Sequence, residues 1–316
     1  MKRLFYILIL FLIGNNTING QNKLSNAIYH LKQMELDKAK ELIDAAVEDT
    51  LFSGKANTWY YRGAIYKELF KRDQTSNKNS PYRKTAVESF YQCLNREKNG
   101  TVTESAKKSL NYLAQTIYNH SATSFDENNY QNAIDLYDRY KEITAFIKPE
   151  TEFKDKDIMF KLALATTFGR IAENDTTKKE AFLDKAKELY KQVIGLDSNN
   201  ISANYNLGIL YYNEGVEIVN NMDYSLDLIE LNAVQDQIVE LFRKSLPFML
   251  KAYELNPKRR ETLIGLQGIY FSLNDMKKSE EYKRQLEALE ENGAADDQPG
   301  NGKPKKEEKD SQERAK

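Results

Sequence analysis

Between residues 201 and 211 the chain reads ISANYNLGILY. Ala203 and Tyr205 precede the adjacent pair Leu207 and Gly208, and Tyr211 follows three residues later, all at helical spacing. Just upstream, Ala186, Tyr190, Val193 and Leu196 form a second helical stripe, closed by the turn Asp197-Ser198-Asn199-Asn200. Two such helices make a hairpin. A glycine between bulky neighbours lets the two backbones approach closely, so this stretch strongly limits what the chain can become.

The same arrangement recurs. A small residue occupies the corresponding position of each second helix at Ala39, Ala86, Ala133, Ala186, Ser245 and Ser279. Their separations are 47, 47, 53, 59 and 34 residues, so repeating units are expected with loops or helix extensions of unequal length. Glycine and proline are scarce, at 14 and 6 in 316 residues, and alternating strand patterns are hard to find. The expected fold class is all-α.

The pattern resembles the tetratricopeptide repeat, a helix–turn–helix unit of 34 residues. Leu207, Gly208 and Tyr211 match its L-G-x-x-Y core, and Ala252 and Pro257 match its closing A…P. Trp59, Gly63 and Tyr66 match W-x-x-L-G-x-x-Y, with Arg62 in place of leucine. Tyr270 follows the second of these patterns in the last unit, where Gln267 takes the glycine position and Gly268 comes one residue late. The resemblance implies a right-handed superhelical solenoid of about six hairpins over 21–291. Its best repeats are 56–98, 201–259 and 260–291, with further units near 21–54, 103–147 and 156–200. Three departures are expected: a polar loop ending at Pro81, an inserted loop over 172–180, and extended helices around 215–242 with a turn near 220–224. Pro247 should kink the second helix of the fifth unit or start a new one.

In such a solenoid the first helix of each unit lines a concave binding face. Carried onto this chain, the resemblance places Asn57, Tyr60 and Lys67 there from the second unit. From the fifth it places Ser202, Tyr205, Asn206, Ile209, Tyr212 and Asn213, and from the sixth Phe271. Tyr60, Tyr205 and Tyr212 combine apolar area with a polar tip, which suits peptide recognition. One variant of the family grips a C-terminal carboxylate with a lysine and asparagine clamp. Asn206 sits at one clamp position, but Tyr60, Ala64, Glu261 and Gly265 occupy others, so that partner class is disfavoured.

Lys and Arg number 46 against 47 Asp and Glu, a balance that gives no reason to expect nucleic acid as a partner. Cys93 is the only cysteine, which excludes an intramolecular disulfide and a cysteine-rich zinc site. No phosphate-binding glycine loop, G-x-S-x-G or H-E-x-x-H is present, and His30 and His120 read as packing or surface residues. No catalytic residue, metal or cofactor is expected, and the chain does not read as an enzyme.

Lys2 and Arg3, the apolar run LFYILILFLI and a polar stretch ending at Gly20 follow the order of a secretory signal peptide over 1–20. An uncleaved N-terminal anchor is the alternative. No cysteine lies near the boundary for lipid attachment, so the mature chain is expected in the periplasm of a bacterium or outside the cell, with no membrane span after signal removal. From 292 to 316 the chain is charged and lacks large apolar residues, as a disordered tail would. The expected function is an exported adaptor that binds a protein or peptide partner in the cell envelope. The alternative is an accessory protein that binds glycan or cell wall through the same tyrosines.

Overall fold

A computed structural model describes residues 23–73, 80–223 and 225–291. The expected signal peptide, the expected tail and most of the polar loop before Pro81 lie outside the described residues. Thirteen helices and no strand occur among the described residues. The chain divides into two compact units, one ending at Phe153 and the other starting at Lys154.

The first unit holds α1 (23–32), α2 (Leu36–Val47), the single turn α3 (Thr50–Ser53), α4 (Ala56–Asp73), α5 (Pro81–Arg96), α6 (Thr103–Ala122) and α7 (Tyr130–Ile147). Helix α4 pairs with α5 and α6 with α7, while α2 packs on α4 and α5 on α6. The second unit holds α8 (Lys154–Asn174), α9 (Lys179–Leu196), α10 (Ile201–Asn220), α11 (Leu228–Leu255), α12 (Arg260–Ser272) and α13 (Met276–Glu291). They pair as α8 with α9, α10 with α11 and α12 with α13, and α9 packs on α10 and α11 on α12. These are six antiparallel pairs, counting α1 with α2, as the small-residue pattern led us to expect.

All six small positions of the second helices are buried. Where the residue is serine its hydroxyl also bonds across the pair: Ser245 Oγ donates to the Gly208 carbonyl at 2.6 Å, and Ser279 Oγ to that of Gln267 at 3.0 Å. Those two acceptors are the glycine positions of α10 and α12, so Gln267 holds the register that its side chain had obscured. Gly63 and Gly208 are close-approach sites. A Cβ at Gly63 would lie 2.8–2.9 Å from three atoms of the Phe90 ring. One at Gly208 would lie 2.7 Å from Met249 Cγ.

Helix starts follow local chemistry. Pro81 opens α5, where its fixed φ and missing N–H cost nothing. The Asn200 side chain accepts from Ala203 N at the start of α10. Asp227 and Glu230 form a reciprocal capping box at α11. The first and last hairpins share one turn. Met34 and Asn274 have φ of 59° and 61°, and the next residue's N–H bonds back to His30 and Tyr270 respectively.

One expectation needs correction, and two further features refine the rest. The segment 172–180 is not an inserted loop: α8 runs to Asn174 and α9 starts at Lys179, leaving a four-residue turn. Asp175 organises that turn, accepting from Thr177 N and Oγ1 at 3.0 and 2.5 Å. These bonds and the one from Lys178 hold its carboxyl at about 2. Pro247 starts no new helix, because α11 continues through it to Leu255. The one-turn helix α3 was not anticipated. It is capped by Asp49, and its Ser53 carbonyl accepts from both Trp59 Nε1 (2.6 Å) and Arg96 Nε (2.9 Å).

Candidate functional site

The expected concave-face residues fall into two environments. In the first unit, Asn57 on α4 is exposed. Tyr60 is half-buried, edge-on to Tyr61 at 5.2 Å and tilted against Phe90 at 6.1 Å. Lys67 is also half-buried and donates to Ser109 Oγ of α6 at 3.2 Å. Burial lowers its pKa against the pull of Glu68. Lys67 therefore ties two first helices together.

In the second unit, Tyr205, Ile209 and Tyr212 share one side of α10 and pack onto a core that includes Phe242, Met249, Leu266, Ile269 and Tyr270. The Arg259 guanidinium lies 3.6 Å from the centre of the Tyr205 ring, a close cation–π contact. Tyr212 tilts against Phe242 at 5.6 Å. Burial raises the pKa of both tyrosines. Ser202 and Asn206 are half-buried, Asn213 is exposed, and Phe271 on α12 is 62% exposed. Of the expected set, Asn57, Asn213 and Phe271 present the most surface to solvent, while the three α10 residues mainly support the next hairpin.

Most of the signature residues are buried. Leu207, Ala133, Ala186 and Ala252 are buried, and Pro257 lies in the turn after α11. The Tyr66 hydroxyl donates to Asp44 Oδ2 at 2.6 Å. Tyr211 stacks on Phe248, and Tyr270 on Tyr282. Arg62, which replaces the usual leucine, donates to Asp44 on α2 (2.9 Å) and Ser89 on α5 (3.1 Å), so a polar tie substitutes for an apolar contact. The helix pairs are TPR-like hairpins.

A second surface was not anticipated. A cleft of about 660 Å³ lies in the second unit between α9, the far end of α10 and the start of α11. Leu183, Ile218, Met222, Leu226 and Val234 give it an apolar lining. Glu180, Asp184, Glu214, Glu217 and Asp223 face Lys179 and Lys187 around it. Both lysines are already engaged: Lys179 Nζ meets Glu217 at 2.5 Å, and Lys187 Nζ meets Glu214 at 2.6 Å and Asp184 at 3.1 Å. Burial of Lys187 opposes its charge, but the Glu214 and Asp184 carboxylates prevail and hold its pKa above the ordinary lysine value. The named lining is acidic by three charges. The signal for this cleft is the long insertion of the fifth unit, whose period leads to extended helices with a turn near 220–224. Its second clue, the Asp227-x-x-Glu230 box that fixes where α11 begins, also stands in the sequence.

Cys93 is buried, and burial pushes its thiol up to about 11, so it is not a thiolate at neutral pH. Among the described residues, no group of three or more His, Cys, Asp or Glu converges as a metal site requires. No helix of the described residues is long and apolar enough to cross a membrane.

No family model matches the chain, and no curated protein sequence matches it. Solved structures do resemble it. A TPR repeats protein from Bacteroides fragilis is 16% identical, covers 85% of this chain and 98% of its own, and gives a TM-score of 0.41. MamA from Desulfovibrio magneticus is 15% identical over 74% of this chain and 98% of its own, with a TM-score of 0.32. PilF from Pseudomonas aeruginosa is 12% identical over 87% and 93%, at 0.31. No ligand or partner passes from these proteins to this chain.

Proposed function

We propose that this chain is a non-catalytic, exported adaptor that binds a protein partner in the cell envelope. The observation that supports this reading is the cleft of the second unit, an apolar trough whose acidic edge exceeds its two committed lysines. It suits a peptide segment that places an apolar side chain between lysines or arginines, since burial of the anchor supplies affinity and the opposite charges supply orientation. On the first helices of the same unit Asn213 and Phe271 are also open to a partner, and in the other unit Asn57 is exposed by itself. Export rests on the first twenty residues, whose order is that of a signal peptide.

Crosslinked capture of the full tagged chain from its native cell envelope, beside a Leu226→Asp/Val234→Asp variant, tests this. A partner enriched by the parent chain and lost from a variant with an unchanged thermal melt is the expected result. Equal recovery overturns the cleft. Saturable binding to purified peptidoglycan with no protein partner overturns the adaptor reading in favour of the glycan one. N-terminal sequencing tests export: a chain beginning at Gln21 outside the inner membrane is expected, and an intact chain confined to the cytoplasm refutes it.

A further inference from the structure

In the first unit, a cavity of about 720 Å³ lies among α5, α6 and α7, and the side chain of Arg83 lines it. Arg83 is only 8% exposed. Its Nη1 donates to the Thr116 carbonyl at 3.2 Å, and its Nη2 lies 2.9 Å from His120 Nδ1. An arginine has only protons to offer, so Nδ1 must be the acceptor there and His120 carries its proton on Nε2. Neither partner is a carboxylate. The guanidinium also lies over the Phe70 ring, at 5.3 Å, and burial alone pulls its pKa down to about 10. The cavity's other cations already have partners: Lys84 pairs with Glu88 at 4.0 Å and Arg139 with Glu142 at 2.9 Å. Asp135, the remaining acid of the lining, accepts from Gln131 Nε2 at 3.0 Å. Arg83 thus contributes a buried charge that no carboxylate among the described residues meets within ion-pair distance.

A second donor stands beside it. Ser80 lines the same cavity at the N-cap of α5, is 3% exposed, and makes no side-chain cap bond. Its Oγ has no hydrogen-bond partner. A buried serine at an N-cap ordinarily accepts from its own helix, and leaving the hydroxyl idle is unfavourable. Ser80, Arg83 and Pro81, the first residue of a sixteen-residue helix, thus line one cavity, and two of them carry an idle hydroxyl and a guanidinium without a carboxylate.

We propose that this cavity is a binding site for an oxyanion, a carboxylate of a peptide or a phosphate group, held by Arg83, Ser80 Oγ and the N-terminus of α5. Such a group would compensate the guanidinium and accept from Ser80, which otherwise has nothing to bond. The site lies in the other unit from the acidic cleft and stands or falls independently of it.

Isothermal titration of the full chain at constant ionic strength tests the site with two probes: inorganic phosphate, and an N-acetylated peptide with a free C-terminal carboxylate. Saturable binding of at least one is expected, and which one binds identifies the source of the anion. Ser80→Ala should weaken binding about tenfold, the size of one hydrogen bond to a charged acceptor, and Arg83→Gln should abolish it. Since Ser80 Oγ has no internal bond to lose, its alanine variant keeps the test valid if the Arg83 variant does not fold. Binding of neither probe, or parental affinity in Ser80→Ala, overturns the site.

Discussion

Four glycines inside helices make a prediction of opposite signs. In a helix interior, alanine is favoured over glycine by about 1 kcal/mol, because glycine loses more backbone freedom on folding. At Gly169 and Gly195 an added Cβ meets nothing within 4 Å, so Gly169→Ala and Gly195→Ala should each stabilise by about 0.5–1 kcal/mol. At Gly63 the same atom would lie 2.8–2.9 Å from the ring of Phe90, which is wholly buried. Overpacking of that kind costs about 1–3 kcal/mol, which exceeds the propensity gain, so Gly63→Ala should destabilise by about 1–2 kcal/mol. Gly208 is subtler. Met249 Cγ and Sδ stand 2.7 and 2.8 Å away and can rotate, but its backbone nitrogen at 3.2 Å cannot. A net loss of about 1 kcal/mol is expected. Urea unfolding followed by circular dichroism measures all four, and 1 kcal/mol moves the midpoint by roughly 0.5 M at a slope of about 2 kcal/mol per molar. Gly169, Gly195 and Gly208 lie in the same unit, so their shifts compare directly. A Gly208→Ala midpoint raised as far as that of Gly169→Ala would refute the close-approach reasoning.

The hydroxyls give a second contrast. Ser245→Ala loses a buried bond to the Gly208 carbonyl and should cost about 1 kcal/mol, whereas Thr58 and Thr262 have buried hydroxyls without partners, so their valine variants should be neutral or stabilising by up to about 1 kcal/mol in the same melts. Met34 holds φ of 59° on an exposed turn, and Met34→Gly should raise stability by about 0.5–1 kcal/mol; a lower thermal midpoint would contradict this. Cys93 should resist thiol reagents at pH 8 until the chain unfolds. Its folded value near 11 exceeds the ordinary value of 9.0, so the unfolded chain gives up the thiol proton first. The Cys93 contribution to stability is then intact below pH 9 and lost as pH rises toward 11, a loss that should be absent from the Cys93→Ser melts.

The helix pairs were legible in the sequence because their determinants are local. A small residue at the crossing and bulky residues one turn away leave a mark wherever two backbones approach, and Ala39, Ala86, Ala133 and Ala186 carry that mark without exception. Arg62 was legible as a departure but not as a tie, because Asp44 and Ser89 lie 18 residues before it and 27 after it. Tyr205, Ile209 and Tyr212 could be placed on one helix face by spacing alone. Which neighbour covers that face depends on how α11 and α12 stack, and Arg259 seats itself on Tyr205 from the turn before α12. The insertion of the fifth unit shows a helical period, and it is helix over 215–220 and 228–242. What it encloses was not readable, since a cleft depends on the lengths of neighbouring helices rather than on the period of any one.

Those lengths explain the cleft. Helix α11 has 28 residues, about 42 Å, and α12, which packs on it, has 13, about 20 Å. Roughly half of α11 therefore has no stretch of α12 beside it. Along its apolar stripe burial fades toward the start: Leu241 and Ile238 are each 7% exposed, Val234 and Leu231 are half-buried, and Leu228 is 75% exposed with Ile229 beside it at 80%. An overhang that only lengthened the helix would favour polar residues, because exposed apolar side chains add nothing to folding. Leu228 and Ile229 are instead apolar and exposed, two and three residues after Leu226 of the cleft lining. Leu228→Gln/Ile229→Gln should leave the unfolding free energy unchanged within about 0.5 kcal/mol, since both side chains are already in water and glutamine adds no charge at the helix start. If they extend the docking surface, the same variant should release the crosslinked partner. A fall in stability with capture intact would show that the overhang belongs to the fold rather than to binding.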